Sequence, residues 1–429
     1  VETLSEFTPA RVEEITGIPK RDMRQAAHLL SASEDAAIVF GNGITQHTAG
    51  TDAVIAIANL AMLTGNNGRR GGVFALQREN NAHGACDMGT LPGFLPGYQS
   101  IDDADNRTRF GEFWNAELSN VAGLTAIEMM ERAGQKLLKG MFIMGENPAA
   151  CFPQPSRVRK SLESLEFLAV SDMFLTETAR VAGVVLPASS FAEKEGTFTN
   201  FEGRVQQLKK AIDPIGDSLP DGEIIMKLAE IMGSPMPYVS SQQVMEEIEE
   251  MVPFYRHFNY VGSDSSGRDL EDMDRERPTT RRLHKGLFPS GFGKFSPVKY
   301  VSPTDVATVD YPFTLITGSS RYHFGSGART SHSPRLLRYC PEVSLEIGRS
   351  DARRLGIHSG DRLRVFSENG ELSAGAVIND SLPKGLLFMP VTFPSGPVFE
   401  LFDSAIYGQS KAPALKSCAV RLERAPDNG

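Results

Sequence analysis

Cysteine is scarce in this chain. Cys86, Cys151, Cys340 and Cys418 are the only four, and no two of them form a CxxC pair. This spacing argues against a zinc ribbon or an iron–sulfur cluster held by this chain alone, because both need clustered thiolates. Four thiols so far apart read as reduced and suit a reducing compartment. Basic residues are outnumbered, 44 Lys and Arg against 53 Asp and Glu, for a formal net charge of −9. A protein gripping a nucleic-acid backbone needs the opposite balance, so no nucleic-acid partner is expected. A local basic channel for an anionic ligand remains compatible with that total. No apolar run approaches the length that spans a bilayer, so no membrane span is expected either. The first residues, Val1-Glu2-Thr3-Leu4, include neither an initiator Met nor a signal-like segment. They read as a cut, a processed end or a trimmed chain. The expected location is cytoplasmic, or periplasmic if a targeting signal preceded Val1.

What is present is an ordinary soluble composition, 41% hydrophobic and 23% charged. A length of 429 residues gives room for two to four domains. Forty glycines and 26 prolines point to many tight turns.

Thr8-Pro9 pairs an N-cap with Pro at the first helical position and predicts a helix to about Ile15. Ile18-Pro19 opens a second helix, through Leu30. Ala36 to Phe40 is a short buried strand that runs into Gly41-Asn42-Gly43-Ile44-Thr45-Gln46 and then an apolar helix over about 51–63. Strand, glycine loop and helix make the nucleotide-binding arrangement of doubly wound α/β folds. The pattern recurs at strands 139–144, 167–170 and 184–187, which predicts parallel sheets with ligands at the strand C-termini. Residues 262–300, dense in Asp, Glu and Arg, read as an exposed linker. Beyond Tyr311 come short strands at 313–316, 362–366, 375–378 and 386–389, with a hairpin flanked by Asp361 and Asn369-Gly370. They predict a closed barrel of about 110–120 residues. The expected division is residues 1–79 as the end of one α/β domain and 80–191 as a second. A connecting segment with the linker follows at 192–300, then a barrel at 301–429.

Several strand-end loops share one chemistry: Gly, Asn, Asp, Ser or Thr just past a strand. They leave backbone N–H groups open and supply short hydrogen-bonding side chains, which suits phosphates, ribose hydroxyls and guanine edges. Together they suggest a large nucleotide-containing ligand, or two.

Those segments, read in order, resemble the molybdopterin-dinucleotide oxidoreductases of the DMSO reductase family, and most of all the C-terminal part of formate dehydrogenase alpha subunits. The resemblance is carried by Gly41-Asn42-Gly43-Ile44-Thr45-Gln46, Leu63 to Gly72, and Asn80-Asn81-Ala82-His83-Gly84-Ala85-Cys86-Asp87-Met88-Gly89. It continues through Gly145-Glu146-Asn147-Pro148, Asp172 to Ala179, Glu193 to Gln206, Tyr322 to Gly327 and Lys411 to Val420. It implies doubly wound Rossmann-like domains followed by a six-stranded, double-psi type β-barrel, with the N-terminal iron–sulfur domain absent. It also implies bis(molybdopterin guanine dinucleotide) carrying Mo or W, a small-molecule substrate (formate or CO2), and iron–sulfur or flavin electron-transfer subunits.

By the same resemblance, Gly43 and Gln46 lie along one pterin. Asn147, Asp172 and Thr176 hold a guanosine. Arg321, His323 and Ser326 contact the other dinucleotide, and Lys416 sits near a pterin. Plainer alternatives stand beside these: Asp172 as a helix cap, His323 as a core histidine, Lys416 as a surface lysine, Cys86 as packing.

Two departures from the family pattern stand out. The cysteine set for a 4Fe-4S cluster, and the Cys-His or selenocysteine-His segment that ligates the metal, are not in this chain. They are expected upstream of Val1, in a missing N-terminal half on the same or another chain. Formate dehydrogenases usually carry Arg-Gly-Gln before Asn-Asn, where the arginine pairs with the substrate carboxylate. Here the stretch is Gln77-Arg78-Glu79, and His83 stands where glutamine is common. Arg78 and His83 are therefore the candidates for an altered substrate shell. Two other readings stay open: a related molybdoenzyme with another small substrate, and a pterin-free scaffold like the large peripheral subunit of respiratory complex I.

Overall fold

A computed structural model of the chain describes residues 4–66, 72–255, 292–303, 306–393 and 397–425. The Asn67 to Gly71 part of the turn motif, and the charged linker as far as residue 291, lie outside the described residues. The chain divides into two compact units. One comprises Val1–Arg78, Arg282–Thr304 and Tyr407–Ala414; the other comprises Glu79–Arg281, Asp305–Ile406 and Leu415–Gly429.

In the first unit, α1 (Pro9–Thr16) starts as expected: the Thr8 side chain accepts from the Arg11 N–H, and Pro9 occupies the first turn. It ends at Gly17, whose φ of +70° only glycine adopts without strain. The second helix, α2 (Lys20–Ala32), leads into β1 (Ala37–Phe40). The glycine loop is not wholly irregular. Asn42–Thr45 winds into one turn, α3, before α4 (Gly50–Leu63). A turn this short has no hydrophobic period, so sequence pattern alone reads it as loop. Strand β1 pairs in parallel with β2 (Gly72–Ala75), Ala37 opposite Gly72.

The second unit opens with the short helix α5 (Ala82–Asp87), then α6 (Ala104–Trp114) and α7 (Ala126–Gly134). Thr125 and Glu128 cap α7 reciprocally, closing two open N–H groups at its start. A three-stranded parallel sheet follows: β3 (Gly140–Met144), β4 (Phe167–Asp172) and β5 (Val184–Pro187), in that spatial order. Helices α8 (Pro148–Cys151) and α9 (Pro155–Glu163) connect β3 to β4. Ile143, Val158, Leu162, Leu168 and Val170 form one core beneath this sheet, with Val170 wholly buried. Each such side chain contributes about 1.5–3 kcal/mol by leaving water. The central strand is thereby held rigidly, and so is the loop at its C-terminal end.

The antiparallel hairpin β6 (Gly196–Thr199) and β7 (Val205–Leu208) precedes α10 (Asp221–Ile231) and α11 (Ser241–Met251). The barrel then closes from β8 (Phe313–Gly318), β9 (Ser344–Ile347), β10 (Arg362–Phe366), β11 (Glu371–Ile378), β12 (Leu386–Pro390) and β13 (Ser417–Arg424). Their spatial order is β8-β12-β9-β11-β10-β13. The β8–β12 and β9–β11 pairs are parallel, the rest antiparallel. Alternate residues point inward, as the two-residue period of strands requires: Phe313 and Leu315, Leu345 and Ile347, Leu363 and Val365, Leu387 and Met389. The fold is thus mixed α/β, with parallel sheets and a closed six-stranded barrel.

Candidate functional site

The parallel sheet presents its C-terminal edge through two loops, residues 145–151 after β3 and 173–178 after β4. Asn147 is buried and ties the loops together. Its Oδ1 accepts from the Thr178 backbone N–H at 3.1 Å and from the Thr178 hydroxyl at 2.8 Å, while its Nδ2 donates to Glu177 at 2.8 Å. Thr178 in turn accepts from the Ala149 N–H at 3.1 Å. Thr176 is buried, and its hydroxyl accepts from the Ala179 N–H at 3.3 Å.

Asp172 closes β4, and its Oδ1 accepts from the Met173 N–H at 2.7 Å. Burial pushes its carboxyl above the ordinary value of 3.8. The N–H groups of Met173 and Phe174 and the charge of Arg329 work against that rise, and Asp221 adds to it. A carboxylate in this setting suits a partner that brings donors, such as a ribose hydroxyl or the N–H edge of a base, and repels a phosphate. Phe174, two residues on, stacks on His332 with centroids 4.1 Å apart and planes 7° from parallel.

Among the barrel residues, Arg321 is exposed and His323 is buried. Both His323 ring nitrogens are engaged, Nδ1 with the Thr330 hydroxyl and Nε2 with the Cys340 carbonyl, each at 2.9 Å. The ring also meets Phe393 edge-on. Through both ring nitrogens His323 thus braces the loop that carries it. The Ser326 carbonyl accepts from Phe393 N–H at 2.8 Å. Lys416 points its ammonium at the Thr317 carbonyl. Arg329, Arg335 and Arg338 are exposed on the segment that follows His323.

In the first unit, Gly43 lies in α3, exposed, with nothing within 4 Å of where a Cβ would stand. Gln46 caps that turn through its backbone N–H to the Asn42 carbonyl at 3.1 Å. Arg78 is half-exposed at the end of the segment beyond β2. His83 lies in α5 of the second unit.

The strand-end loops fit a nucleotide-sized ligand on two further counts. Gly145 holds φ at +65° with open space where a Cβ would be, so backbone is presented bare. The Ser171 hydroxyl, wholly buried one residue before Asp172, has no partner among the described residues. Sequence reading passed over Thr178, Glu177 and Arg329. Thr178 lay inside a quoted motif, but nothing local marks it as the partner of Asn147, 31 residues away.

The molybdopterin oxidoreductase family model matches residues 24–231, and the molydopterin dinucleotide binding domain model matches 313–419. This chain belongs to the molybdopterin oxidoreductase family. It is 41% identical over 428 residues to the F420-dependent formate dehydrogenase subunit alpha of Methanocaldococcus jannaschii, covering 99% of this chain and 63% of that protein. It is 35% identical over 432 residues to formate dehydrogenase H of Escherichia coli, covering 98% of this chain and 60% of that protein. The chain thus spans about three-fifths of the length of these molybdopterin oxidoreductase relatives. Acetylene hydratase from Pelobacter acetylenicus shares the fold, with a TM-score of 0.74 at 17% identity over 99% of this chain and 66% of that one. Among the described residues, no helix is long and apolar enough to cross a membrane.

Proposed function

We propose that this chain is the cofactor-binding portion of a Mo- or W-dependent formate dehydrogenase, which oxidises formate to CO2 or reduces CO2. The observation that carries this is the cross-tied strand edge. Asn147 locks Thr178 and Glu177 beside Asp172, a half-buried carboxyl that welcomes hydrogen-bond donors at the end of a central parallel strand. The likeness to formate dehydrogenase alpha subunits supports it, and the dinucleotide-binding match across the barrel favours it over a pterin-free scaffold.

In this reading the residues divide by charge. Asp172 accepts from a guanosine, Asn147 and Thr176 set the shape of its loop, and Arg321, with the neighbouring arginines, takes phosphate as guanidinium does. His323 and Ser326 hold that loop in place. Gly43 and Gln46 present open backbone to a pterin, and Lys416 lies near a pterin from the barrel side. When bound, bis(molybdopterin guanine dinucleotide) supplies two-electron redox chemistry at its metal. Arg78 and His83 are the candidates for the substrate shell. The metal's protein ligand and a 4Fe-4S cluster fall to sequence outside this chain, and iron–sulfur or flavin subunits take the electrons.

Arg78 carries a second reading. Within Gln77-Arg78-Glu79, and with His83 nearby in sequence, it favours a related molybdoenzyme with another small substrate. Anaerobic formate oxidation with an artificial electron acceptor, set against reduction of a panel of small oxidised anions with a reduced artificial donor, separates the two. Robust formate oxidation supports the first; turnover of another anion with none of formate replaces it by the second.

A further inference from the structure

Helix α5, which carries His83, is only six residues long. So short a helix does not hold itself in water. It is instead gripped at both ends from distant parts of the chain. At its start, Asn81 takes a left-handed φ of +60° and makes no side-chain cap to the helix; its Oδ1 accepts from the Thr199 N–H of β6 at 2.8 Å. At its end, the wholly buried Asp87 accepts from the Tyr255 hydroxyl at 2.9 Å, and that hydroxyl lies 3.2 Å from the Thr199 hydroxyl. Tyr255 is itself anchored among Val205, Met245 and Val252. Between the two grips, Gly84 allows no side chain: a Cβ there would stand 2.2 Å from Asn81 Oδ1 and 3.1 Å from the Thr199 hydroxyl. Residues 118 and 168 positions apart in sequence meet at one helix of one and a half turns.

We propose that Asn81, Asp87, Thr199 and Tyr255 form a clamp whose task is to fix His83 against the substrate, with Tyr255 and Thr199 as positioning residues. This rests on the placement of His83 in the substrate shell given above. No residue of α5 is exposed, and a network of one carboxyl group, two hydroxyls and an amide is a demanding way to hold a helix that merely packs. The Tyr255 and Thr199 bonds join α5 to two distant segments and so restrict where it can sit. His83 and Asp87 are one helical turn apart, so a grip on Asp87 fixes the rotation of α5 and with it the direction in which His83 leaves the helix.

The test is Tyr255→Phe in the full holoenzyme, alone and with His83→Gln, read by formate kinetics and by hydrogen–deuterium exchange of residues 82–88. The clamp predicts at least a fivefold rise in KM for formate with Mo or W content unchanged, faster exchange confined to 82–88, and little added effect in the double variant. A role in stability alone lowers kcat with the fraction of folded enzyme and leaves KM unmoved; that result, or full additivity with His83→Gln, overturns the proposal. If Tyr255→Phe yields no folded holoenzyme, Thr199→Val removes the second hydroxyl with the same two outcomes. Absence of formate turnover in the metal-loaded wild type overturns the formate reading instead, and exchange over 82–88 then decides the clamp: faster supports it, unchanged overturns it.

Discussion

Asn147 and Thr178 are joined twice, the amide oxygen of one accepting both the backbone N–H and the hydroxyl of the other. Both residues are buried. Asn147→Ala therefore leaves a buried N–H without an acceptor, at about 1–3 kcal/mol of stability. The loop it shapes also bears Thr176 and follows Asp172, so the Mo or W content of the holoenzyme falls with it. Urea unfolding and elemental analysis of the same preparation check both effects.

Asp172 gives a pH dependence whose sign follows from burial. Its folded-state value lies above the ordinary 3.8, so the folded state holds this proton more tightly than the unfolded chain. Ionised Asp172 thus works against the fold. That penalty is absent below the unfolded value, grows as pH rises through the raised folded value and is fully present above it. Asp172→Asn should gain stability relative to wild type as pH is raised from about 4 to about 7, while guanosine binding and metal loading fall. Parallel urea titrations across that range measure it; a gain that shrinks with rising pH contradicts it.

His323 and Arg321 are two residues apart but differ in burial. His323→Ala removes both ring hydrogen bonds and opens a cavity beside Phe393, for about 2–4 kcal/mol. Arg321→Ala, at an exposed site, changes stability by less than about 0.5 kcal/mol, yet lowers retained dinucleotide. Thermal unfolding with extraction of the bound nucleotide distinguishes a brace from a ligand contact.

Gly50 opens α4 against the Thr45 carbonyl, which would stand 2.2 Å from an added Cβ. Backbone cannot yield as a flexible side chain does, so Gly50→Ala displaces the α3 turn and costs about 1–3 kcal/mol. A lowered midpoint in thermal unfolding checks this.

Local chemistry made much of this legible. Glycine and proline punctuation framed the strands at Ala37–Phe40, Gly140–Met144 and Arg362–Phe366, and the Thr8-Pro9 pair set a helix start the structure keeps. The Asn147 and Asp172 loops come from strand ends, where side-chain type and position are both local facts. What stayed hidden depends on separation. The Tyr255 hydroxyl meets Asp87 across 168 residues, and no period or spacing foretells that. His323 was visible as a residue type but not in the direction of its ring: two buried partners, Thr330 and the Cys340 carbonyl, decide it. The one-turn helix at Asn42–Thr45 lacked the length to show a period.

The central claim, that these loops hold a metal-bearing dinucleotide cofactor, is tested most directly by elemental analysis of the complete protein purified anaerobically with its bound subunits. Close to one Mo or W per chain is the predicted result, lost in parallel with guanine nucleotide in Asp172→Asn. An intact complex that carries neither metal nor guanine nucleotide contradicts the claim and makes the chain a scaffold.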